Sequence, residues 1–353
     1  MKKRFLGSSE ILFIFFGIVV LSALVIYLNI FMPNSAVDNW KEVRIPDGVT
    51  YSQGIGILKK EGIIRNNLTL IVLGRLTVTD RKLRAGYYNL NSAMSSWDVF
   101  NRLRKGMIIQ YFVTIPEGFT LDDIKIKLKA RGLINNDSWQ LVNNRDFLSS
   151  LNIKAPSLEG YIYPDTYNLA KGADPEDVFR IMVQRLRDNF DKSLRKRAEE
   201  LGMSENEVLT LASIIEKEAM FNEERPIISA VYHNRLKKKM RLQADPTVIY
   251  GIHSCLRCIT KTDLKRKTPY NTYVIEGLPP GPIASPGIKS IKAALYPAQA
   301  DYLYFVSKND GSHQFSKTGE EHVAAVMLYR QKNNASTTPL QENKTENAEE
   351  KTH

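Results

Sequence analysis

The sequence predicts an α+β protein held by one N-terminal transmembrane helix, with a small strand-and-helix module followed by a larger, mainly helical domain carrying strand insertions. Three observations predict it: an uncharged run of 22 residues near the start, a pattern written twice at a spacing of seventy residues, and long helical periodicity after Ser157. At 353 residues and 43% hydrophobic content, the chain can bury a real core and has room for two or three domains.

The uncharged run, residues 11–32 (ILFIFFGIVVLSALVIYLNIFM), is long enough to cross the ~30 Å hydrocarbon layer as a helix. Lys2, Lys3 and Arg4 precede it. The positive-inside rule therefore keeps residues 1–10 in the cytoplasm and places the rest on the exported, periplasmic side of the inner membrane. A cleaved signal peptide is the alternative, but its apolar core spans about 7–15 residues and ends at a small-x-small site that does not follow here. The net charge is +11, of which residues 1–10 contribute +2 and residues 331–353 contribute -1, so the exported body carries about +10. Nucleic acid is not a partner expected outside the membrane. A basic exported surface suits anionic lipid headgroups or an acidic envelope polymer, or is simply solvated.

The two cysteines, Cys255 and Cys258, lie in HSCLRC. They can close a short disulfide, and with His253 they offer three ligands; a structural zinc site needs a fourth, and none is nearby, so no metal is expected. No phosphate-cradling glycine loop and no HExxH occurs, so no cofactor is expected either. Ser193 to Lys196 fits SxxK, but in a highly charged helix without its partner motifs.

The repeated pattern is IPDGVTYSQGIGILKKEGIIRN from Ile45 to Asn66 and IPEGFTLDDIKIKLKARGLINN from Ile115 to Asn136, with nine of 22 positions identical. Each copy predicts a strand end, a Pro-x-Gly turn, a Thr N-cap (Thr50, Thr120), a helix of about ten residues and a stopping glycine (Gly62, Gly132). Between the copies, YYNLN and IIQYFVTI predict strands, and SSWDVFNRLRKG predicts a capped helix. The strand and helix pieces around the first copy resemble a small carbohydrate-binding module of the LysM kind. Residues 175–201 carry apolar positions at helical spacing, a second helix is predicted from about Glu205 to Met220, and a third starts at Pro226. Gly281 and Gly287, in GLPPGPIASPG, predict a rigid loop, and YLYFVS a strand. Residues 331–353 are polar and predict a disordered tail.

The stretch IIEKEAMFNEERP packs Glu216, Glu218, Glu223 and Glu224 into nine positions. Leu211, Ile214, Ile215 and Glu218 share one helical face, so Glu218 extends an apolar stripe, whereas Glu216 stacks over Ala212 and Ser213 and is expected to look toward solvent or a polar neighbour. Desolvation raises a carboxyl pKa, which suits a general acid near neutral pH. An alternative is a buried ion pair of Glu218 with Arg225 or Arg235. Glu224 and Arg225 are expected to pair.

The run LASIIEKEAMFNEERPIISAVYHNRLKKKMRLQADPTVIYG, then PYNTYVIEGLPPGPIASPG and YLYFV, with LEGYIYPDTY upstream, resembles the catalytic domain of MltG-like (YceG-like) endolytic murein transglycosylases. These blocks span about Leu158 to Val306. The resemblance implies cleavage of nascent peptidoglycan strands between N-acetylmuramic acid and N-acetylglucosamine without water, and a link to peptidoglycan synthases. It aligns the family's essential glutamate with Glu218, acting as acid and then base to leave a 1,6-anhydro end. Within the matching blocks, Gln243, Asp245, Asn271 and Glu159 are candidates for hydrogen-bonding or steering substrate, and Tyr163, Tyr167 and Tyr232 for offering ring faces to sugars. Each has a scaffolding alternative: Asp245 as a turn or cap residue, Asn234 and Arg235 as bolts between elements, Asp165 as a loop holder. The resulting division is 1–10 cytoplasmic, 11–32 transmembrane, 40–112 LysM-like, 113–330 catalytic and 331–353 tail. Rival readings are a non-catalytic wall-binding scaffold and a hydrolase that admits water.

Overall fold

The structure is a computed structural model that describes residues 8–78, 83–251 and 259–336. The loop with His253, Cys255 and Cys258 and the tail from residue 337 lie outside the described residues. The first helix, α1 (Ser8–Phe31), contains a 20-residue apolar stretch, Leu12–Phe31, of mean hydropathy 2.6 with none of it buried. Twenty residues of helix span about 30 Å, enough to cross a membrane.

The chain divides into two compact units. One runs to Thr114 and adds Ile126–Ser138 and Thr166–Val178; the other takes Ile115–Lys125, Trp139–Asp165 and the chain from Phe179 onward. In the first unit, β1 (Trp40–Ile45), α2 (Tyr51–Lys60), α3 (Asn67–Leu76) and β2 (Gly86–Asn91) follow in order, and β1 pairs antiparallel with β2 from Trp40↔Asn91 to Ile45↔Gly86. Val43, Ile45, Ile55, Leu58, Leu70, Tyr88 and Leu90 form its core together with Val99, Phe100 and Leu103 of α4 (Ser96–Arg104). After β3 (Gln110–Thr114) come α5 (Leu121–Ala130) and α6 (Arg145–Ser150), and then β4 (Thr166–Ala170), which pairs antiparallel with β3.

The written repeat is a built repeat. Thr50 and Gln53 cap α2 reciprocally, and Thr120 and Asp123 do the same for α5, the Thr120 N–H donating at 2.9 Å and Asp123 N–H returning at 3.3 Å. Gly62 and Gly132 stand at φ +75° and +63°, and the next N–H reaches back to Leu58 O at 3.0 Å and Leu128 O at 3.1 Å. That closure needs the left-handed backbone glycine adopts freely.

In the second unit, the predicted helix over 175–201 is broken into α7 (Pro175–Asn189) and α8 (Lys192–Glu200). Asp191 explains the break: its side chain accepts from Ser193 N–H (2.8 Å) and Leu194 N–H (3.0 Å), starting a new helix. Next come α9 (Glu205–Glu218), α10 (Arg225–Lys237), α11 (Asp245–Ile249), α12 (Lys261–Leu264) and α13 (Ile288–Leu295). The antiparallel hairpin of β5 (Tyr304–Ser307) and β6 (His313–Ser316) and then α14 (Gly319–Ser336) complete the described chain. α14 runs past residue 331, so the first six residues of the predicted tail are helical.

α9 is the hub. Every residue from Val208 to Ile215 is buried, because α8, α10, α11 and α13 pack around it. The proline- and glycine-rich loop is fastened to it: Asn206 donates to Pro280 O (2.9 Å), Ile283 N–H to Ser213 Oγ (3.0 Å) and Gly287 N–H to Glu216 Oε2 (3.0 Å). Gly160 stands at φ +76°, where a Cβ would strike Pro282 of this loop.

Candidate active site

The four clustered glutamates have four different fates. Glu223 is exposed. Glu224 pairs with His313 Nδ1 at 2.7 Å and also accepts its N–H at 2.9 Å. The expected partner Arg225 turns instead to Glu216, at 3.0 Å, with both side chains nearly sealed from water. Of the two expectations for Glu216, solvent or a polar neighbour, the second holds: Arg225 and the Gly287 N–H take it, while the wet side of this turn of α9 falls to Lys217. Its second oxygen accepts from Gly287 N–H, so the charge is fully paired.

Glu218, the last residue of α9, is held differently. Its side chain is half-buried with its carboxyl enclosed, and the pKa is pushed up to about 8, first by desolvation and then by the negative charge of Asp245. The carbonyl-rich C-terminus of α9 disfavours a further negative charge at that end. Against these act three weaker influences: Tyr232 OH donates to Glu218 Oε1 at 3.3 Å, the Asp245 backbone N–H donates, and Arg235 lends positive charge. The result is a protonated acid at neutral pH whose carboxylate, once the proton has left, meets donors already aimed at it.

The supports come from three segments. Tyr232 and Arg235 lie on α10, where Arg235 donates to Leu303 O (2.6 Å) and Leu242 O (2.8 Å) and sits over the Tyr304 ring. Asn234 donates to Ala300 O (2.8 Å) and Tyr302 O (3.0 Å), so both residues bolt α10 to its neighbours. Asp245 opens α11, and its carboxylate accepts from Tyr273 OH at 2.6 Å. Gln243 stands at φ +47°, an uncommon backbone for a residue with a Cβ, and its N–H donates to Thr272 O at 3.1 Å. Thr272 also receives Ala244 N–H (2.9 Å) and shares a hydroxyl contact with Thr247 (2.8 Å), which fixes the start of α11 beside Glu218. Gln243 and Asp245 are themselves exposed, and Gln243 Oε1 accepts from Arg235 at 3.4 Å.

The other sequence-predicted residues are bound into the scaffold or covered. Asn271 is buried, and its amide donates to Asp263, Leu264 and Arg266 carbonyls, the last at 2.8 Å, so its donors are spent on the backbone. Glu159 is buried, accepts from Leu121 N–H (3.1 Å) and Tyr250 OH (3.0 Å), and is pushed up to about 7 by desolvation. The expectation that Tyr163, Tyr167 and Tyr232 present open ring faces is corrected: all three rings are buried, Tyr167 within β4 and Tyr232 edge-on to Phe305 at 5.9 Å. Asp165 pairs with Arg185. Sequence reasoning missed Tyr273, Thr272 and Tyr250. The only available signal for the first two was polar side chains interleaved with aromatics in YNTY.

Comparison with known proteins finds relatives over most of the chain. An endolytic murein transglycosylase of Bacillus subtilis (strain 168) is 33% identical over 308 residues, covering 81% of this chain and 84% of the relative. An endolytic murein transglycosylase of Streptococcus pneumoniae serotype 2 is 29% identical over 319 residues, and there the chain spans 56% of the relative's length. A solved structure of a yceG-like protein from Listeria monocytogenes superposes with a TM-score of 0.56 at 35% identity, covering 82% of this chain and all of that one. The profile of the YceG-like family matches residues 43–327, from the first strand to the last helix, and the chain belongs to that family.

Proposed function

We propose that this protein is an endolytic lytic transglycosylase that cuts nascent peptidoglycan strands between N-acetylmuramic acid and N-acetylglucosamine. The observation that carries the reading is Glu218: a carboxyl protonated at neutral pH, enclosed at the end of a packed helix and addressed by Tyr232 and the Asp245 N–H. Support comes from relatives that carry the name endolytic murein transglycosylase and align over about 80% of the chain.

In this reading Glu218 gives its proton to the glycosidic oxygen as the C1–O bond breaks. The resulting carboxylate then takes the proton of the muramyl 6-hydroxyl, whose oxygen bonds to C1, so a 1,6-anhydro end forms, the acid is restored and no water is consumed. Desolvation holds the proton until transfer. Tyr232, the Asp245 N–H and Arg235 stabilise the transient carboxylate. The exposed Gln243 and Asp245 bind sugar hydroxyl or acetamido groups. α1 anchors the chain in the inner membrane with its N-terminus in the cytoplasm, residues 40–112 act as a LysM-like module and residues 113–330 as the catalytic domain. The anchor keeps the site near newly polymerised strands and the synthases that make them.

One observation favours a second reading, hydrolysis with water. Asp245 brings a second carboxylate toward Glu218, as paired-acid glycosidases require. Mass spectrometry of digested sacculi separates the readings. Anhydro-muramyl ends that vanish with Glu218→Gln support the transglycosylase; reducing muramic ends support the hydrolase; products unchanged by Glu218→Gln refute both and leave a non-catalytic wall-binding scaffold.

A further inference from the structure

In the first unit, α3 leaves an apolar surface that the glycan chemistry does not use. The inner face of α3 is fully engaged: Leu70 is buried, Tyr51 OH donates to its carbonyl at 3.0 Å, and a Cβ at Gly74 would strike the Tyr51 ring. The outer face is apolar as well. Leu68, Val72 and Leu76, spaced four apart on one stripe, are 63%, 52% and 76% exposed. A helix that is apolar on both sides belongs in a core or in lipid.

What adjoins this helix is the end of the membrane span. Arg65, one residue before the α3 cap Asn66, donates its Nε to the Asn34 carbonyl, three residues beyond α1, and its N–H to Asn34 Oδ1 at 3.5 Å. Leu28, Met32 and Pro33 share one depression with Arg65, Asn66 and Thr69. Trp97 packs on Phe31 at 5.9 Å, placing an indole where the span ends, the level at which tryptophan gathers in membrane proteins. Ten helical residues extend about 15 Å, so α3 starts beside that point and its far end lies no more than about 15 Å from its start.

We propose that α3 is an interfacial membrane helix, with Leu68, Val72 and Leu76 seated at the headgroup–acyl boundary of the leaflet from which α1 emerges. Arg75, exposed in its last turn, faces the lipid phosphates. The consequence is a first unit held flat on the bilayer at two points, which restricts its orientation far more than a single helix does. The inference rests on α1 lying in the bilayer.

The test uses the full chain with Cys255→Ser and Cys258→Ser, reconstituted in phosphatidylglycerol–phosphatidylethanolamine vesicles. Single cysteines at Leu24→Cys in α1, Val72→Cys in α3 and Lys59→Cys at the exposed end of α2 each receive a nitroxide label, and collision with oxygen is compared with collision with a water-soluble nickel chelate. The expected result is an oxygen-to-nickel ratio at position 72 several-fold above that at 59 and below that at 24. A ratio at 72 equal to that at 59, with 24 still in lipid, overturns the proposal and leaves the anchor standing. An aqueous label at 24 overturns the anchor and the proposal together. Spin–spin broadening at 72 that persists in detergent assigns the stripe to a second copy of the chain and also overturns it.

Discussion

Two sides of one helical turn hold the two most enclosed glutamates of α9, and they are built to opposite ends. Glu216 meets Arg225 at 3.0 Å and the Gly287 N–H at 3.0 Å, so its charge is neutralised and locked into the packing of α9 on α13. Glu218, two residues on, has Tyr232 at 3.3 Å and only a weaker influence from Arg235, while Asp245 pushes against it. Both carboxyls are enclosed. Only the second is left without a close cation, and that omission stores a proton at pH 7. The comparison teaches that burial alone does not mark a catalytic acid; the direction of its charge compensation does.

The contrast breaks hardest at Glu218. Glu218→Gln keeps the shape and removes the proton chemistry, so turnover of glycan strands is expected to fall by about 10²–10⁴-fold while thermal stability holds or rises. Measuring both on one preparation checks this; a variant that keeps its rate ends the catalytic reading. Glu216→Ala should show the reverse: Arg225 is left buried and unpaired, and denaturant unfolding should record a loss of about 3–5 kcal/mol. Joint replacement, Glu216→Leu with Arg225→Met, should recover most of it, because the cost lies in the orphaned charge.

Acidity sharpens the same comparison. In the native state Glu218 keeps its proton until about pH 8, whereas an ordinary glutamate loses it near 4.5. Between these values the folded chain binds a proton that the unfolded chain has released, so this group's contribution to stability declines as pH rises from about 4.5 to about 8. Unfolding curves across that window should show the decline in the parent and a flatter profile in Glu218→Gln. The rate should also fall above about pH 8, where the acid form disappears. The smallest effect is expected from Tyr232→Phe. Losing the hydroxyl removes a bond that favours the carboxylate, so the alkaline limb should move to higher pH, with about 1 kcal/mol of stability lost. A limb that moves to lower pH would contradict the assigned geometry.

Much of the fold was legible because it is written locally. The doubled Pro-x-Gly, Thr and Gly signature dictates turn, cap and stop within a few residues of itself, and both copies form the same capped helix with the same left-handed close. Glu218 was legible for a similar reason, since a carboxylate continuing the stripe of Leu211, Ile214 and Ile215 is a local periodic fact. The break at Asp191 was written too, but a single capping side chain is weaker than the periodicity running through it.

What the sequence by itself determined is the apolar span, the repeated strand-turn-helix units and the position of one acid at the end of a buried helix. Each depends on neighbours a few residues away. Only the tertiary structure decided that Arg225 serves Glu216 and His313 serves Glu224, that Asn271 spends its amide on backbone carbonyls, and that three tyrosine rings are covered. Those outcomes depend on groups tens of residues apart competing for the same partner in a desolvated interior, and no local pattern records which of them arrives closest.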